Sequence, residues 1–298
     1  MTDDFLLYKI TYVTKGGVVM RGIIVLTLFL AVVSAYAAKG DTLATFTLSG
    51  QPANGVRGLA YDPTDGNIWA AGPQAANNII FCKFKNYDDT HAIVTNWVTA
   101  NSAQYWVFDI GWKYTLSGTD YLVMLDQNAP RIRLIKPSDG SVGGTLTDAF
   151  SGGYDEGIEG DYTNGWGTTL YCTNYNFTSV MKWNGTTWAS FATCSTPAMG
   201  NAMGWNHVFV IHTSTVYAIW VFKCSNGTQD DTITMNNWGT TYMVGLSRGR
   251  DNWHGTTSET LYTACFYPSN NIKEIDIGNY NQTEISPTSV GDIKSMFH

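Results

Sequence analysis

The chain has 298 residues, 44% of them hydrophobic, and only 14% are charged, against roughly 25% in an average soluble protein. A formal charge of -7 with no Lys/Arg cluster excludes the basic face that nucleic acid needs, and no glycine loop of the phosphate-cradling kind is present. Such a length allows one large domain or two small ones, and abundant Gly, Asn, Thr, Trp and Tyr beside few charges fit an extracellular β-protein.

The first segment reads as an address. "MRGIIVLTLFLAVVSAYA" (Met20 to Ala37) has one basic residue, Arg21, an uncharged apolar run from Gly22 to Val33, and Ala35-Tyr36-Ala37 as a small-x-small cleavage site. The run is short of the about 20 apolar residues that span a bilayer. The expectation is a secretory signal removed after Ala37, which leaves no membrane span in the mature chain and directs it to the periplasm, the cell surface or the medium. An uncleaved anchor is the alternative. Asp3 and Asp4 do not suit the start of a signal, so Met20 is the expected true start.

"DTLATFTLSG" (Asp41 to Gly50) follows as a strand without partners of its own. A phrase then recurs at intervals of roughly 40 to 50 residues, anchored on Leu59 in "VRGLAYD", Ile110 in "VFDIGWK", Ile158 in "DEGIEGD", Met203 in "GNAMGWN" and Leu246 in "MVGLSRG". Each anchor is followed by a second strand ("GNIWAAG", "DYLVMLD", "TTLYCTN", "HVFVIHT", "ETLYTAC"). A third comes next ("NIIFCKF", "RIRLIKP", "SVMKWNG", "VYAIWVF", "NIKEIDI"). Fourth strands are weaker: "AIVTNWV", "GGTLTDAF", "TWASFAT" and "DTITMNN", with a poor one in the last repeat. The apolar runs are short or alternating, which is strand and not helix patterning. Asp65-Gly66, Asp139-Gly140, Asn184-Gly185 and Asn226-Gly227 are tight-hairpin dipeptides.

Four-strand units at this period predict an all-β, five-bladed β-propeller over residues 38–285, with 286–298 as a tail. The unpartnered N-terminal strand is expected to complete the last blade and close the ring, removing an open sheet edge. A six-bladed propeller with one degenerate blade and a two-sheet sandwich are the alternatives. Over the whole mature chain such phrases, "LYCTNYNFTSVMKWNG" among them, resemble the secreted bacterial β-propellers with degenerate NHL and lyase-like repeats. The resemblance is to a repeat style. It implies a fold and a ligand surface and carries over no catalytic residue.

Positions just before the anchors should line the channel mouth. They hold Arg57, Asp109, Glu156 and Asn201, expected to ring it together. Carboxylates and an amide so placed suit a hard cation such as calcium, or paired acids for glycoside cleavage; the plainer reading is that they hydrogen-bond one another or channel water. The acidic stretch "YDEGIEGDYTNGWG", with Asp155, Glu156, Glu159 and Asp161, reads as a solvated loop entering the third blade. The histidines at 91, 207, 212, 254 and 298 are too scattered for a zinc site. No cofactor is expected, calcium being the one candidate that the carboxylates would suit.

Five cysteines leave at least one thiol free, and Cys172 with Cys194, both in the third repeat, is the best candidate bridge. Trp166, Trp183, Trp188, Trp205, Trp238 and Trp253 flank Gly/Asn/Thr turns, where they either stack on sugars or fill gaps between blades. These features together predict a binding or interaction module with its ligand, a carbohydrate or a protein, at the channel mouth. A lyase or glycoside-acting enzyme using Asp109 and Glu156, and a purely structural surface protein, are the other readings.

Overall fold

The computed structural model describes residues 37–74, 78–101, 107–126, 132–151, 155–163, 166–212, 217–236, 238, 242–251, 258–266 and 269–280. The leader up to residue 36, the tail 286–298, Trp253, His254 and His298 lie outside the described residues. Among those described there are strands and no helix, and hence no helix long and apolar enough to cross a membrane.

The chain opens on β1 (Thr42–Phe46). Blade 1 is β2 (Gly58–Asp62), β3 (Asn67–Gln74), β4 (Asn78–Phe84) and β5 (Ile93–Ala100); blade 2 is β6 (Val107–Leu116), β7 (Thr119–Asp126), β8 (Ile132–Ile135) and β9 (Val142–Leu146). Blade 3 is β10 (Asp155–Gly160), β11 (Leu170–Asn174), β12 (Ser179–Trp183) and β13 (Trp188–Thr193). Blade 4 is β14 (Ala198–Gly204), β15 (His207–His212), β16 (Ala218–Lys223) and β17 (Gln229–Thr234). Blade 5 takes three strands from the end of the chain, β18 (Tyr242–Arg248), β19 (Glu259–Phe266) and β20 (Ile272–Gly278), and its outermost from the beginning: β1 pairs antiparallel with β20, Phe46 opposite Ile272 and Thr42 opposite Ile275. The inner strands touch in a closed cycle, β2 to β6, β10, β14, β18 and back to β2. This is a five-bladed β-propeller, and the sandwich and six-bladed alternatives are excluded.

Apolar burial is organised by seam. One cluster lies between each pair of neighbouring blades: Trp69, Phe81, Ile110 and Leu122 between blades 1 and 2, for instance, and Phe209, Ile219, Leu246 and Ile275 between blades 4 and 5. A blade in isolation would leave both faces wet, so the seams hold the ring as a whole. This arrangement also corrects the expected disulfide. Cys172 packs in the seam between blades 2 and 3 and Cys194 in that between blades 3 and 4, on opposite faces of one sheet. All five thiols are unbonded and buried. Burial pushes those of Cys194, Cys224 and Cys265 up to about 12, which keeps them inert. Trp183, Trp205 and Trp238 are buried seam fillers, while Trp166 is 36% exposed.

The inner strands converge because each carries a glycine where the next blade's main chain passes. A Cβ on Gly58 would lie 2.6 Å from the Ile110 nitrogen, one on Gly157 2.7 Å from the Gly200 Cα, and one on Gly111 3.0 Å from the Glu159 Cα. Gly200 and Gly245 meet the carbonyl oxygens of Val244 and Arg57 more closely still. Since these neighbours are backbone, no side-chain rotation relieves the clash.

Within blades 1 and 3 one polar device recurs, tying inner to third strand. Lys83 donates to Asp62 at 2.6 Å and lies 4.5 Å over the ring of Trp69, whose Nε1 donates to the same oxygen at 3.3 Å. In blade 3 the Tyr171 hydroxyl donates to Asp161 at 3.0 Å, with Lys182 3.7 Å from that carboxylate and 5.1 Å over the Tyr171 ring. Blade 5 reverses the charges: Arg250, following the inner strand, donates to the Tyr262 hydroxyl at 3.1 Å and pairs with Glu274 at 3.3 Å.

The seam between blades 5 and 1 is cross-linked by polar and aromatic contacts. From blade 5, Arg250 also pairs with Asp89 at 2.7 Å and contacts His91 at 3.3 Å, both in the β4–β5 connection of blade 1. Phe46 of β1 stacks on the His91 ring at 3.5 Å. Burial, with the neighbouring Arg250 charge, holds His91 down at about 4, so the imidazole is neutral at physiological pH.

Gly58→Ala tests the convergence. Forcing a methyl against the Ile110 main chain is expected to cost about 1–3 kcal/mol, read as a lowered urea midpoint with an unchanged m-value.

Candidate functional site

The antiparallel register gives the ring two unlike ends. Inner strands begin, second strands end and third strands begin at one of them, here called the mouth; the hairpins joining first to second strands lie at the other. The hairpin end is capped. Arg248 of β18 lies 4.4 Å over the Trp205 ring and 5.1 Å over that of Tyr61, and it pairs with both oxygens of Asp251 at 2.8 and 2.9 Å. Tyr61 in turn meets Tyr162 edge-on at 5.6 Å.

Inner strands of blades 2 to 5 each carry a pairing irregularity near the mouth, between Val107 and Ile110, Asp155 and Gly157, Ala198 and Asn201, and Met243 and Gly245. A bulge leaves a residue unpaired and re-aims its side chain. Three of the four expected site residues, Asp109, Glu156 and Asn201, fall on or beside these bulges, and Arg57 immediately precedes β2.

Asp109 is fully buried on the ring axis. Its Oδ1 accepts the main-chain N–H groups of Leu59 (3.2 Å) and Ile110 (2.9 Å), and its Oδ2 accepts that of Ile158 (3.2 Å). These are the anchor residues of the first three repeats. Burial drives the carboxyl well above the usual range; the main-chain donors oppose this, and the neighbouring Glu159 adds to it.

Glu159 repeats the pattern one turn of the pleat further in, accepting from the main chain of Trp112 at 3.0 Å and of Gly160 at 2.8 Å. Burial outweighs these donors and raises it to about 8. The acidic stretch is therefore no solvated loop. Asp155, Glu156, Glu159 and Asp161 are all buried, and β10 is the inner strand of blade 3. Sequence reading passed over Glu159 as an axial residue, although the alternating pattern around Ile158 could have found it.

Arg57 and Glu156 are brought into electrostatic contact across the mouth, from blades 1 and 3. Burial lowers Arg57 to about 10 against the pull of Glu156, and raises Glu156 to about 7 against the pull of Arg57. The Arg57 guanidinium lies 3.7 Å over the ring of Phe266 in blade 5. Glu156 is only 9% exposed, and its Oε2 has no hydrogen-bond partner among the described residues. Asn201 turns away to the wall, its Nδ2 donating to the Tyr171 carbonyl at 3.3 Å. The expected quartet thus resolves into a mouth pair, an axial clasp and a wall residue.

Exposed aromatics stand at the mouth end. Tyr175 (49% exposed) and Phe177 (37%) occupy the β11–β12 connection, with Phe177 stacked on Phe150 at 5.1 Å; Tyr242 (54%) begins β18 opposite Phe266. Among the described residues no three His, Cys, Asp or Glu side chains converge to hold a metal ion.

No family model and no curated protein matches the chain. Among solved structures it is similar to a tail fiber of Staphylococcus aureus phage P68, with 10% identity over 80% of this chain and a TM-score of 0.49. The match takes in 53% of the tail fiber, so this chain spans about half that protein's length.

Glu159→Gln tests the buried axis. Between pH 4.5 and 8 the folded state binds a proton at Glu159 that the unfolded state has lost, so this group's contribution to stability is whole below about 4.5 and falls as pH rises through about 8. The amide cannot ionise and keeps the Oε1 acceptor. The Tm of the variant relative to the parent is expected to rise steadily over that window; a difference independent of pH would show that the carboxyl does not titrate there.

Proposed function

We propose that the chain is a carbohydrate-recognising module that binds its ligand at the mouth, with Glu156 and Arg57 as the polar contacts and the exposed aromatics around them as stacking surfaces. The observation that carries this reading is the unpartnered Oε2 of a buried Glu156. A buried acceptor without a donor costs free energy, and a ligand hydroxyl would supply the donor. Arg57, opposite in charge, would donate to ring or hydroxyl oxygens. Tyr175, Phe177 and Tyr242 offer flat apolar faces of the kind that C–H faces of sugars stack on, with polar edges beside them.

The state of Asp109 favours binding over glycoside chemistry. An acid pair needs two carboxyl groups facing the substrate, whereas both Asp109 oxygens accept main-chain hydrogen bonds out of reach of solvent. The leader-like segment 20–37 supports a site of action outside the cytoplasm.

The test is a glycan array probed with the mature protein, with and without calcium, followed by titration of the strongest binder. Glu156→Ala is expected to weaken binding at least about tenfold, as for loss of a hydrogen bond to a charged group, and Tyr242→Ala to weaken it severalfold. Silence on all glycans in both conditions, or an affinity indifferent to Glu156, would overturn the proposal.

A further inference from the structure

The propeller's compact unit begins at Ala38, one residue past the small-x-small motif Ala35-Tyr36-Ala37. Ala38 and Lys39 are exposed. Immediately beyond them the chain is fastened on both sides. Gly40 donates to the Asp276 carbonyl at 2.8 Å, Asp276 donates back to the Asp41 carbonyl at 3.0 Å, and Asn236 of blade 4 donates to the Gly40 carbonyl at 3.0 Å. The Asn236 side chain donates to the Lys39 carbonyl at 3.1 Å and to Asp41 Oδ1 at 3.0 Å, and Lys39 reaches Asp231 and the Tyr280 hydroxyl. Ala38 and Lys39 are thus exposed, and a hydrogen-bonded edge begins directly after them.

The other oxygen of Asp41 is turned back on the same bond. Its Oδ2 accepts from the Ala38 nitrogen at 2.6 Å. In the unprocessed chain that nitrogen is an amide with one hydrogen. Once freed it is an ammonium with three hydrogens and a positive charge, and the same contact becomes a charge-assisted hydrogen bond, about twice as strong as a neutral one.

We propose that the Ala37–Ala38 bond is a processing site and that the α-ammonium released at Ala38 is captured by Asp41, so that removal of the leader tightens the strand that closes the ring. The reaction is hydrolysis by a leader-cleaving protease: water adds across the bond, the new carboxylate departs on Ala37, and the amine stays on Ala38 and takes up a proton. Tightening follows because Asp41 directly precedes β1, and β1 is the outer strand of blade 5.

Two measurements test this. The chain from Met20, produced in an exporting host, is expected to yield a protein whose intact mass begins at Ala38; a product that keeps residues 20–37, or begins elsewhere, overturns the site. Protein beginning at Ala38 is then compared with protein carrying a Gly-Ser extension, each with Asp41 and with Asp41→Asn. The extension is expected to lower Tm by about 2–4 °C with Asp41 and to change nothing with Asn, the double cycle removing effects that Asp41→Asn has by itself. An equal shift in both backgrounds overturns the capture.

Discussion

Asp109 accepts main-chain hydrogen bonds from the inner strands of blades 1, 2 and 3 and lies against Gly245 of blade 5. Inner strands of a narrow propeller approach so closely that side chains are excluded, as the glycines at 58, 111, 157, 200 and 245 show. Close approach leaves N–H groups that point at the axis, where there is no sheet partner and no bulk water to receive them. A carboxyl with two oxygens answers that need for three strands at once. The seams between blades supply the apolar burial, but they do not by themselves fix how far each inner strand slides along the axis. The main-chain contacts of Asp109 and Glu159 do.

The axial clasp lies between two unlike ends of the ring. With Asp109 and Glu159 filling the centre, and Arg248, Trp205 and Tyr61 capping the hairpin end, the Arg57–Glu156 pair stands at the mouth, where Glu156 Oε2 has no hydrogen-bond partner among the described residues. Ring closure acts at the periphery in the same sense. The strand β1 is held by blade 5 through its ladder, by blade 4 through Asn236, and by blade 1 through Phe46 on His91. Opening that seam would free blade 1 from blade 5 and deprive Asp109 of its fixed surroundings.

Much of this was legible in the sequence, for physical reasons. Each blade repeats the same four-strand problem, so the anchors and hairpin dipeptides recur, and the poor last strand of the fifth repeat pointed to β1 as its replacement. Asp109 was visible as the one charged residue at the position before the anchor, where the other repeats carry Gly58, Gly157, Ala202 and Gly245. The departure marks the strand that supplies the clasp. Its role was not legible, because the partners are main-chain N–H groups, which sequence does not display. The stretch around Ile158 was misread as solvated for a related reason: acidic residues are exposed by default, and burial of Glu159 depends on amides donated by β6 and β10. The Cys172–Cys194 pairing failed on a matter of parity, since which face of a sheet a residue takes depends on register and bulges, and blade 3 has an irregularity between Val180 and Met181. The Asp–aromatic–Lys device of blades 1 and 3 was present as "AYDPT" and "EGDYT" and becomes meaningful once Lys83 and Lys182 are seen to lie across the sheet from Trp69 and Tyr171.

Amide hydrogen exchange on the protein and on Asp109→Ala tests the clasp most directly. The amides of Leu59, Ile110 and Ile158, far apart in the chain, are expected to be among the slowest to exchange in the parent and to lose protection together in the variant. A loss confined to Ile110, with Leu59 and Ile158 as protected as before, would contradict the view that one carboxyl holds three blades in register.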